Sequence, residues 1–470
     1  MQKTKMIFTI GPSSDSKETL MEFIKIGMSA ARLNLSHGTH ETHKQKIDLI
    51  KKIRKDMKPE LAIIIDIKGP KIRTHNFTND SATLKEGDKF SFICDDEILG
   101  DSSKCSITYK NLYKDIKTGA TILVDDGLLV FEVNSIENKS INCTVKVGGI
   151  ITNHKGVNVP NVDINLPSVT EKDKNDIIFS CNNDVDFIAA SFIRKASDIL
   201  EIKNILKKQQ NNHIKVIAKI ENQEGVDNID SIIEVSDGIM VARGDMGVEI
   251  PIEKIPIIQK KIIKKCNKAG KIVITATQML DSMIRNSIPT RAEACDICNA
   301  IFDGTDAIML SGETASGNFP IKSAKTMSKI AIETEKNLNY NHFKYIEPSK
   351  LSSSDAISYS ACRTSNVVNA KAIIAATKSG TTAKLICKYR PKAEIIAITP
   401  SKHVMRGLAL NFGVIPISCK IFNTTDEILG EAKKIAKTFD FVKENDEIII
   451  AAGFPTANTN GTNMLKIEKL

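Results

Sequence analysis

Tryptophan is absent from this sequence, and aromatic residues of all kinds make up only 5% of its 470 residues. The formal net charge of +9 could indicate a nucleic-acid-binding surface, but such surfaces combine basic stretches with aromatic residues that stack on bases. No basic stretch here is interleaved with aromatic residues, and the lysines are spread over many predicted helix faces. We therefore expect no nucleic-acid partner, and anionic small molecules are a more natural use of the positive charge.

Long apolar runs are also missing, and so is the pattern of a targeting peptide. No run approaches the roughly 20 residues that a membrane span requires. The first ten residues, MQKTKMIFTI, pass almost at once into a predicted strand and leave no room for a signal or transit peptide. We expect a cytoplasmic protein with no membrane partner.

The ten cysteines lack the spacing of a disulfide framework or a zinc site. Cys295 and Cys298 form a lone C-x-x-C in a helical pattern, and we expect them to be small buried helix residues. His37, His40 and His43 are evenly spaced but have no acidic or cysteine partners nearby in sequence. We expect no metal site at either place.

What is present is organised around residues 215–248, KVIAKIENQEGVDNIDSIIEVSDGIMVARGDMGV. This segment predicts a strand that ends near Lys219 and Glu221, a helix, and a second strand that ends before Asp245. Parallel strands present their carboxyl ends to ligands, and residues two apart on a strand point the same way. A lysine and two carboxylates at such an edge predict a divalent metal for phosphoryl or enolate chemistry. A structural ion pair between Lys219 and Glu221 is the alternative for this motif taken alone.

Eight strand–helix units predict an α/β fold with a (β/α)8 TIM barrel rather than an open sheet. The predicted strands begin at Lys5, Ser29, Leu61, Phe187, Lys215, Gly238, Ile272 and Ala307. Because strand ends converge in a closed barrel, we expect one site to collect the polar residues that follow the strands, namely Arg32, Asp66, Glu221, Asp245, Thr277 and Glu313. Arg32, Asn34 and Ser36 alternate, so they are expected to face one side. Glu313 is expected to support the site rather than to act in it.

Two further units accompany the predicted barrel, which covers residues 1–69 and 167–340. Between residues 70 and 166 short β runs and hairpin signals, such as Asp125-Asp126-Gly127, predict an inserted β-barrel lid domain. A polar linker over residues 341–354 leads to a smaller α/β regulatory domain over residues 355–470. Its loop Thr377–Thr382 follows a strand and opens a helix, so it is either a phosphate-binding loop or a plain capping loop.

Ten short segments, read in order, make the chain resemble the pyruvate kinase family over essentially its whole length. They are FTIGPSS, ARLNLSHGTHE, DIKGPKIR, LPSVTEKD, ASFIRKASD, KIENQEGV, GIMVARGDMGVEIP, TATQMLDSM, PTRAEACD and DAIMLSGETASGNFP. The family's barrel, inserted β domain and C-terminal effector domain match the three predicted units. The resemblance implies transfer of the phosphoryl group of phosphoenolpyruvate to ADP, which gives ATP and pyruvate.

The resemblance also implies residue roles at the predicted site. Glu221 and Asp245 match the ligands of Mg²⁺ (or Mn²⁺). Lys219 matches the catalytic lysine, which stabilises negative charge on the phosphoryl group and the enolate, and Arg32 matches the arginine that contacts the phosphoryl group. These assignments suit a reaction that needs charge neutralisation and alignment more than covalent catalysis.

Other matched positions concern the substrate and the nucleotide. Gly244 and Asp245 match a helix start whose N–H groups bind the substrate carboxylate, and Thr277 matches the threonine near the carbon that is protonated. Further positions match nucleotide contacts: Arg73, His37, Lys172 and Asn34. The inserted domain would close as a lid and exclude water.

Regulation and assembly are implied only in outline. The loop Thr377–Thr382 and the segment Gly461–Asn463 match the part of the family's effector domain that takes a sugar phosphate or nucleotide. The family is usually a homotetramer, so a homotetramer is the expected assembly.

The potassium requirement is a point on which this sequence departs from many family members. Those members bind K⁺ through residues that match Asn34, Ser36, Asp66 and the carbonyl of Ile67, and they carry glutamate where this chain has Lys71. Members with lysine there tend not to need K⁺, because an ammonium group can supply the same positive charge. Lys68, however, is typical of the K⁺-requiring type. We hypothesise that K⁺ is dispensable here.

Two rival functions remain open at the level of sequence. A metal-dependent lyase or aldolase that stabilises a pyruvate enolate would explain Glu221, Asp245 and an arginine, but not the inserted domain or the nucleotide positions. A catalytically silent regulatory or nucleic-acid-binding protein would use the positive charge. Mg-ADP binding separates the first rival from a kinase, and salt-sensitive RNA binding without turnover would indicate the second.

Overall fold

In a computed structural model, which describes residues 2–340, 351–454 and 461–470, eight parallel strands close into a barrel. They are Lys5–Thr9, Met28–Asn34, Ala62–Ile67, Phe187–Ala190, Lys215–Ile220, Gly238–Ala242, Ile272–Ala276 and Ala307–Leu310. Eleven helices belong to this unit: Lys17–Ile26, His40–Met57, Glu171–Asn182, Ala196–Lys208, Gln223–Asp227, Ile229–Val235, Arg243–Glu249, Ile255–Ala269, Arg291–Asp303, Gly312–Ala315 and Pro320–Lys336. The predicted TIM barrel is confirmed.

The barrel strands are short apolar runs because both of their faces are covered. On the strand Ala62–Ile67 every residue is buried. Ile63 and Ile65 pack outward in the large cluster shared with the helices, whereas Ala62 and Ile64 fill the barrel interior. Local signals begin the helices, as at Thr170 and Thr290, whose side chains form capping boxes.

The inserted segment forms a β-rich unit with its own apolar cluster. A seven-stranded sheet contains Ile72–Arg73, Gly156–Asn158, Thr121–Val124, Leu129–Glu137, Ser140–Val147, Lys89–Ile93 and Lys104–Ser106, in that order. Gly149–Thr152 and Ser81–Leu84 pair separately, and one short helix spans Leu112–Asp115. Asp126 and Gly127 have positive φ in the predicted hairpin turn, as a tight two-residue turn requires, and the N–H of Leu128 closes the turn on the carbonyl of Asp125.

The C-terminal unit is a five-stranded sheet with helices around it. Its strands, in spatial order, are Val414–Ser418, Glu394–Thr399, Ala372–Ala376, Glu447–Ala452 and Met464–Lys469. Its helices are Ser353–Val367, Thr381–Lys388, Lys402–Gly407 and Thr425–Ala436. Ala409 and Leu410 from this unit join the cluster that fills the barrel interior, so the C-terminal unit packs against the amino end of the barrel.

Three sequence-based expectations need correction. Cys295 is exposed and Cys298 only half-buried, although both lie on the predicted helix, because their face of that helix is not fully covered. The strand Met464–Lys469 was not predicted; it pairs antiparallel with Glu447–Ala452 at the sheet edge, where alternating charged residues are tolerated. A helix begins at Ser353, within the end of the predicted linker, and residues 341–350 of that linker lie outside the described residues.

Among the described residues, no helix combines the length and apolar character needed to cross a membrane.

Candidate active site

Four buried charged side chains meet at the carboxyl end of the barrel. Arg32 Nε and Nη2 both donate to Asp66 Oδ2, each at 2.8 Å. Lys219 Nζ lies 3.3 Å from Asp66 Oδ1 and 2.9 Å from Glu221 Oε1. The four residues come from three strands, and closure of the barrel is what brings them together.

Each charge in this cluster depends on its neighbours. Burial alone would raise the pKa of Asp66, but Arg32 and Lys219 hold it below its usual value. Burial would lower the pKa of Lys219, yet Asp66 and Glu221 raise it above the ordinary value for lysine. The lysine therefore remains cationic in a buried site, where it can act together with Arg32 on an anionic ligand.

Glu221 is the incompletely satisfied member of the cluster. Its Oε2 accepts a hydrogen bond from the N–H of Phe192 at 2.6 Å. Its Oε1 is buried and has no hydrogen-bond partner of acceptable geometry among the described residues, although Lys219 Nζ is 2.9 Å away. Burial raises the pKa of Glu221 to about 7, and the nearby Asp245 carboxylate adds to this effect while Lys219 opposes it. An orphaned carboxylate oxygen beside a second carboxylate fits a divalent cation.

Asp245 lies beside a cation from the start of the inserted segment. It occupies the helix Arg243–Glu249, and its side chain is about one third exposed. Lys71 Nζ is 3.3 Å from Asp245 Oδ1 and 3.6 Å from Asp126 Oδ1 in the hairpin turn. Lys71 thus connects the inserted unit to the rim of the barrel site.

Thr277 is held in a strained backbone conformation at the same end of the barrel. Its φ is 67°, a value that β-branched residues rarely adopt. Its Oγ1 donates to the carbonyl of Ala276 at 2.6 Å and accepts from the N–H of Gly244 at 2.7 Å. The two predicted site residues Thr277 and Gly244 are therefore in direct contact.

Two residues that sequence reasoning missed complete this cluster. Ser191 Oγ accepts a hydrogen bond from Lys219 Nζ at 2.7 Å, and the N–H of Phe192 binds Glu221. Both follow the strand Phe187–Ala190 directly. Their position just past a barrel strand was the signal that could have identified them.

Two of the four positions matched to potassium binding, Asn34 and Asp66, have their side-chain oxygens engaged by protein groups. Asn34 Oδ1 accepts from the N–H of Ser36 at 3.0 Å. Both carboxylate oxygens of Asp66 contact cations, as described above, and the adjacent Ile67 is buried.

The positions matched to nucleotide binding are dispersed around the rim. Lys172 Nζ donates to the carbonyl of Leu35 and to Asp176, each at 2.8 Å. The carbonyl of His37 bonds to the ring of His43, and Arg73 donates to the carbonyl of His154 within the inserted unit. None of these contacts joins Arg73 to Lys172 or His37.

Glu313 has the supporting role that was expected of it. Its carboxylate is buried and accepts from the N–H groups of Leu280 and Ser311 at 3.0 and 2.7 Å. It therefore fixes the loops after two barrel strands.

A second cleft, of about 400 Å³, lies in the C-terminal unit around the predicted loop Thr377–Thr382. The loop is tightened by a bond from the N–H of Gly380 to Thr377 Oγ1 at 2.9 Å. Thr382, which lines the cleft, has its Oγ1 2.7 Å from Oγ1 of the buried Thr462. The cleft also has Lys378 and Lys420 in its lining, which gives it hydroxyl and cationic groups suited to an anion.

The comparisons with known proteins agree with one another. The family model described as "Pyruvate kinase, barrel domain" matches residues 1–324, and "Pyruvate kinase, alpha/beta domain" matches residues 355–468. The chain is 64% identical to the pyruvate kinase of Clostridium perfringens over 474 residues, with all of both chains covered. It is 54% identical to that of Clostridium acetobutylicum over 470 residues, which covers 100% of this chain and 99% of the relative.

A solved structure resembles the whole fold. The crystal structure of a pyruvate kinase from Cryptosporidium parvum superposes with a TM-score of 0.95 at 39% sequence identity. The match covers 100% of this chain and 96% of that chain.

Proposed function

The chain belongs to the pyruvate kinase family, and from that premise we propose which of its residues carry the reaction. The enzyme transfers the phosphoryl group of phosphoenolpyruvate to ADP and forms ATP and pyruvate. The observation that carries the residue assignment is the buried cluster at the carboxyl end of the barrel, where two fixed cations lie beside an unsatisfied carboxylate.

Arg32 and Lys219 bind the anionic substrate and stabilise its developing charge. Asp66 fixes Arg32 through two contacts, and Thr9 accepts a further bond from Arg32 Nη1 at 2.9 Å. The arginine is therefore held ready for the phosphoryl oxygens. Lys219 is fixed by Asp66 and Ser191, so its ammonium can act on both the phosphoryl group and the enolate oxygen without first losing a water shell.

Glu221 and Asp245 are the residues that would hold Mg²⁺ or Mn²⁺. Family members use Mg²⁺ and ADP. When bound, the divalent ion neutralises negative charge on substrate oxygens and helps to align them. Glu221 Oε1, which makes no hydrogen bond to any described residue, and the part-exposed carboxylate of Asp245 supply the hard oxygen ligands that such an ion prefers.

Thr277 positions the groups next to the carbon that accepts a proton. Its hydroxyl is oriented by Ala276 and Gly244, and its strained backbone is of the kind that concentrates at functional sites. The N–H groups of Gly244 and Asp245 are proposed to meet the substrate carboxylate; for Gly244 this exchanges the present bond to Thr277.

The nucleotide is proposed to lie between the barrel rim and the inserted unit. Four residues are assigned to it, namely Arg73, His37, Lys172 and Asn34. In this proposal the barrel comprises residues 1–69 and 167–340 and the lid residues 70–166, and lid closure excludes water from the phosphoryl group. The contacts of Lys71 with Asp245 and Asp126 support a lid that directly contacts a proposed metal ligand.

Potassium is proposed to be dispensable. The ammonium of Lys71 supplies a positive charge at the rim, and Asn34 and Asp66 are engaged by protein groups instead of facing an open ion site. The test is the rate of pyruvate formation in K⁺-free buffer. We expect substantial turnover without K⁺, and a Lys71→Met variant should lose about tenfold or more and recover in part on addition of KCl. A wild-type rate that rises many-fold with KCl would contradict the proposal.

The cleft at Thr377–Thr382 is proposed to bind a phosphorylated effector, either a sugar phosphate or a nucleotide. Hydroxyl groups and the start of the helix Thr381–Lys388 provide the donors that a phosphate needs. A Thr382→Val variant should weaken activation by sugar phosphates about tenfold while the unactivated rate stays unchanged. Equal activation of both proteins would assign the loop a capping role only.

A cytoplasmic homotetramer with no nucleic-acid or membrane partner is the proposed biological form.

The decisive test of the function is pyruvate release from phosphoenolpyruvate and Mg-ADP. Wild type and Lys219→Met are compared with and without K⁺ and with sugar phosphates added. Turnover that is lost in the variant supports the assignment of Lys219. Folded wild-type protein that shows no turnover under any of these conditions would overturn the proposed function.

A further inference from the structure

A cluster of two imidazoles and a carboxylate lies at the opposite end of the barrel from the active site. Asp184 and His213 come just before the strands Phe187–Ala190 and Lys215–Ile220, and His403 lies on the helix Lys402–Gly407 of the C-terminal unit. One ligand atom from each residue lies within 4.8 Å of the other two. The cluster therefore joins two loops of the barrel to a different unit of the chain.

The two distances from Asp184 Oδ1 are compatible with a transition-metal site. His213 Nε2 and His403 Nδ1 lie 3.2 and 3.6 Å from Asp184 Oδ1. Nitrogen and oxygen ligands about 2.0–2.2 Å from a tetrahedral zinc ion lie about 3.3–3.6 Å from one another. The two imidazole rings are 4.0 Å apart between centroids.

One ligand atom of the cluster, His213 Nε2, is left without a hydrogen bond by the part of the protein that the structure describes. His213 Nε2 is buried and has no hydrogen-bond partner of acceptable geometry among the described residues, even though a carboxylate oxygen is close. A buried polar atom of this kind needs an explanation, and an ion placed between the imidazole and the carboxylate would supply one.

Arg406 orients the carboxylate from outside the cluster. Its Nη2 lies 3.2 Å from Asp184 Oδ2, which leaves Oδ1 for the imidazoles, and its Nε pairs with Asp186. Such outer contacts are typical of metal ligands. Arg406 Nη2 also lies 3.0 Å from His403 Nδ1. A bound ion would replace this contact, whereas the ion pairs of Arg406 with Asp184 and Asp186 would remain.

We propose that Asp184, His213 and His403 form a binding site for a zinc-class divalent cation that fastens the C-terminal unit to the amino end of the barrel. Imidazole ligands select borderline metals such as Zn²⁺ over Mg²⁺, so the site is chemically distinct from the catalytic one. Because the ligands come from both units, an ion bound here stabilises their contact.

The strands Phe187–Ala190 and Lys215–Ile220 connect this cluster to the proposed active site. Asp184 and His213 lie just before the amino ends of these strands. Ser191 and Phe192 follow the carboxyl end of Phe187–Ala190. Glu221 follows the carboxyl end of Lys215–Ile220, and Lys219 lies within that strand. His403 also follows Pro400, which lines the C-terminal cleft, by three residues. The ion is thus placed beside elements that reach both other sites.

The test uses the full chain, stripped of metal and held in saturating Mg²⁺ so that the catalytic ligands are occupied. Zn²⁺ is titrated against a chromogenic chelator, and thermal unfolding is followed in parallel. We expect one Zn²⁺ per chain and a higher melting temperature with Zn²⁺. His403→Gln and His213→Gln should each weaken Zn²⁺ binding at least about tenfold and abolish the thermal shift.

The matched control removes the rival thiol ligands. The double variant Cys295→Ser, Cys298→Ser lacks the exposed cysteine and its helical neighbour but retains the cluster, so it should bind Zn²⁺ like wild type. His403 is exposed, so its replacement keeps the fold, and this is checked by unchanged melting in Mg²⁺ alone. Any one of three results would overturn the proposal. They are Zn²⁺ binding that persists in His403→Gln, loss of Zn²⁺ binding in the cysteine variant, and absence of Zn²⁺ binding in wild type.

Discussion

Both ends of the barrel carry buried ion pairs, and the carboxylates Asp306 and Glu221 differ in how completely they are hydrogen-bonded. At the amino end, Asp306 accepts from Arg390 at 2.9 Å and from the N–H groups of Val273 and Phe412 at 2.9 and 3.2 Å. At the carboxyl end, Glu221 keeps one buried oxygen without a hydrogen bond. A carboxylate with all its hydrogen bonds made fixes one unit on another, whereas a carboxylate with an oxygen to spare retains the capacity to bind a ligand.

The largest effect that this comparison predicts is on catalysis. Replacing Lys219 with methionine removes the ammonium that neutralises substrate charge, so kcat should fall by about a hundredfold to a thousandfold or more. The urea midpoint in saturating Mg²⁺ should fall less than it does for Arg390→Met below, because Arg32 still pairs with Asp66 and a cation held by Glu221 would offset the loss of the ammonium. A kcat within tenfold of wild type would show that the carboxyl-end cluster is structural.

The corresponding change at the amino end should affect stability instead. Arg390→Met leaves Asp306 buried without its cation and should lower the free energy of unfolding by about 3 kcal/mol or more, measured in urea. The kcat per folded molecule should be unchanged. Arg285→Met is the matched control, because Arg285 pairs with Asp281 on the surface at 3.5 Å, and its urea midpoint should equal that of wild type. An Arg390 variant as stable as its control would remove the distinction between the two ends.

A smaller effect concerns the pH dependence of stability without metal. Because burial raises the pKa of Glu221 to about 7, the folded protein holds a proton that the unfolded chain releases near pH 4.5. The contribution of Glu221 to stability is therefore full below about pH 4.5 and is lost as the pH rises to about 7. Glu221→Gln should gain stability relative to wild type over this range, as measured by urea unfolding from pH 5 to 7.5 without Mg²⁺.

Saturating Mg²⁺ provides the control for this pH dependence. A bound cation favours the ionised carboxylate, so it should flatten or reverse the wild-type loss of stability with rising pH but not alter Glu221→Gln. If the stability of wild type and of Glu221→Gln changes with pH in parallel when no metal is present, the Glu221 carboxylate has all its hydrogen-bond partners in solution.

Sequence reasoning recovered the barrel because its signals are local. The run LAIIIDI, the capping residues Thr170 and Thr290, and the strand endings at Lys219 and Asp245 each depend on a few neighbouring residues. The strands of the inserted unit were harder to predict from the sequence. Strands such as Ile72–Arg73 and Gly156–Asn158 are too short to show an alternation of apolar and polar residues. Cys295 was expected to be buried, but local pattern does not show how neighbouring helices cover a face.

The sequence by itself determined the family, which barrel strands form, which side chains follow them, and the lysine, arginine and carboxylates that are proposed to act on a phosphoryl group. Only the tertiary structure decided how these charges pair. Asp66 contacts Lys219 across 153 positions of sequence, and Arg406 contacts Asp186 across 220. The joining of Asp184, His213 and His403 across two units likewise left no local pattern. Hydrogen bonds and ion pairs depend on distances and angles that are fixed only when the barrel closes and the C-terminal unit packs against it.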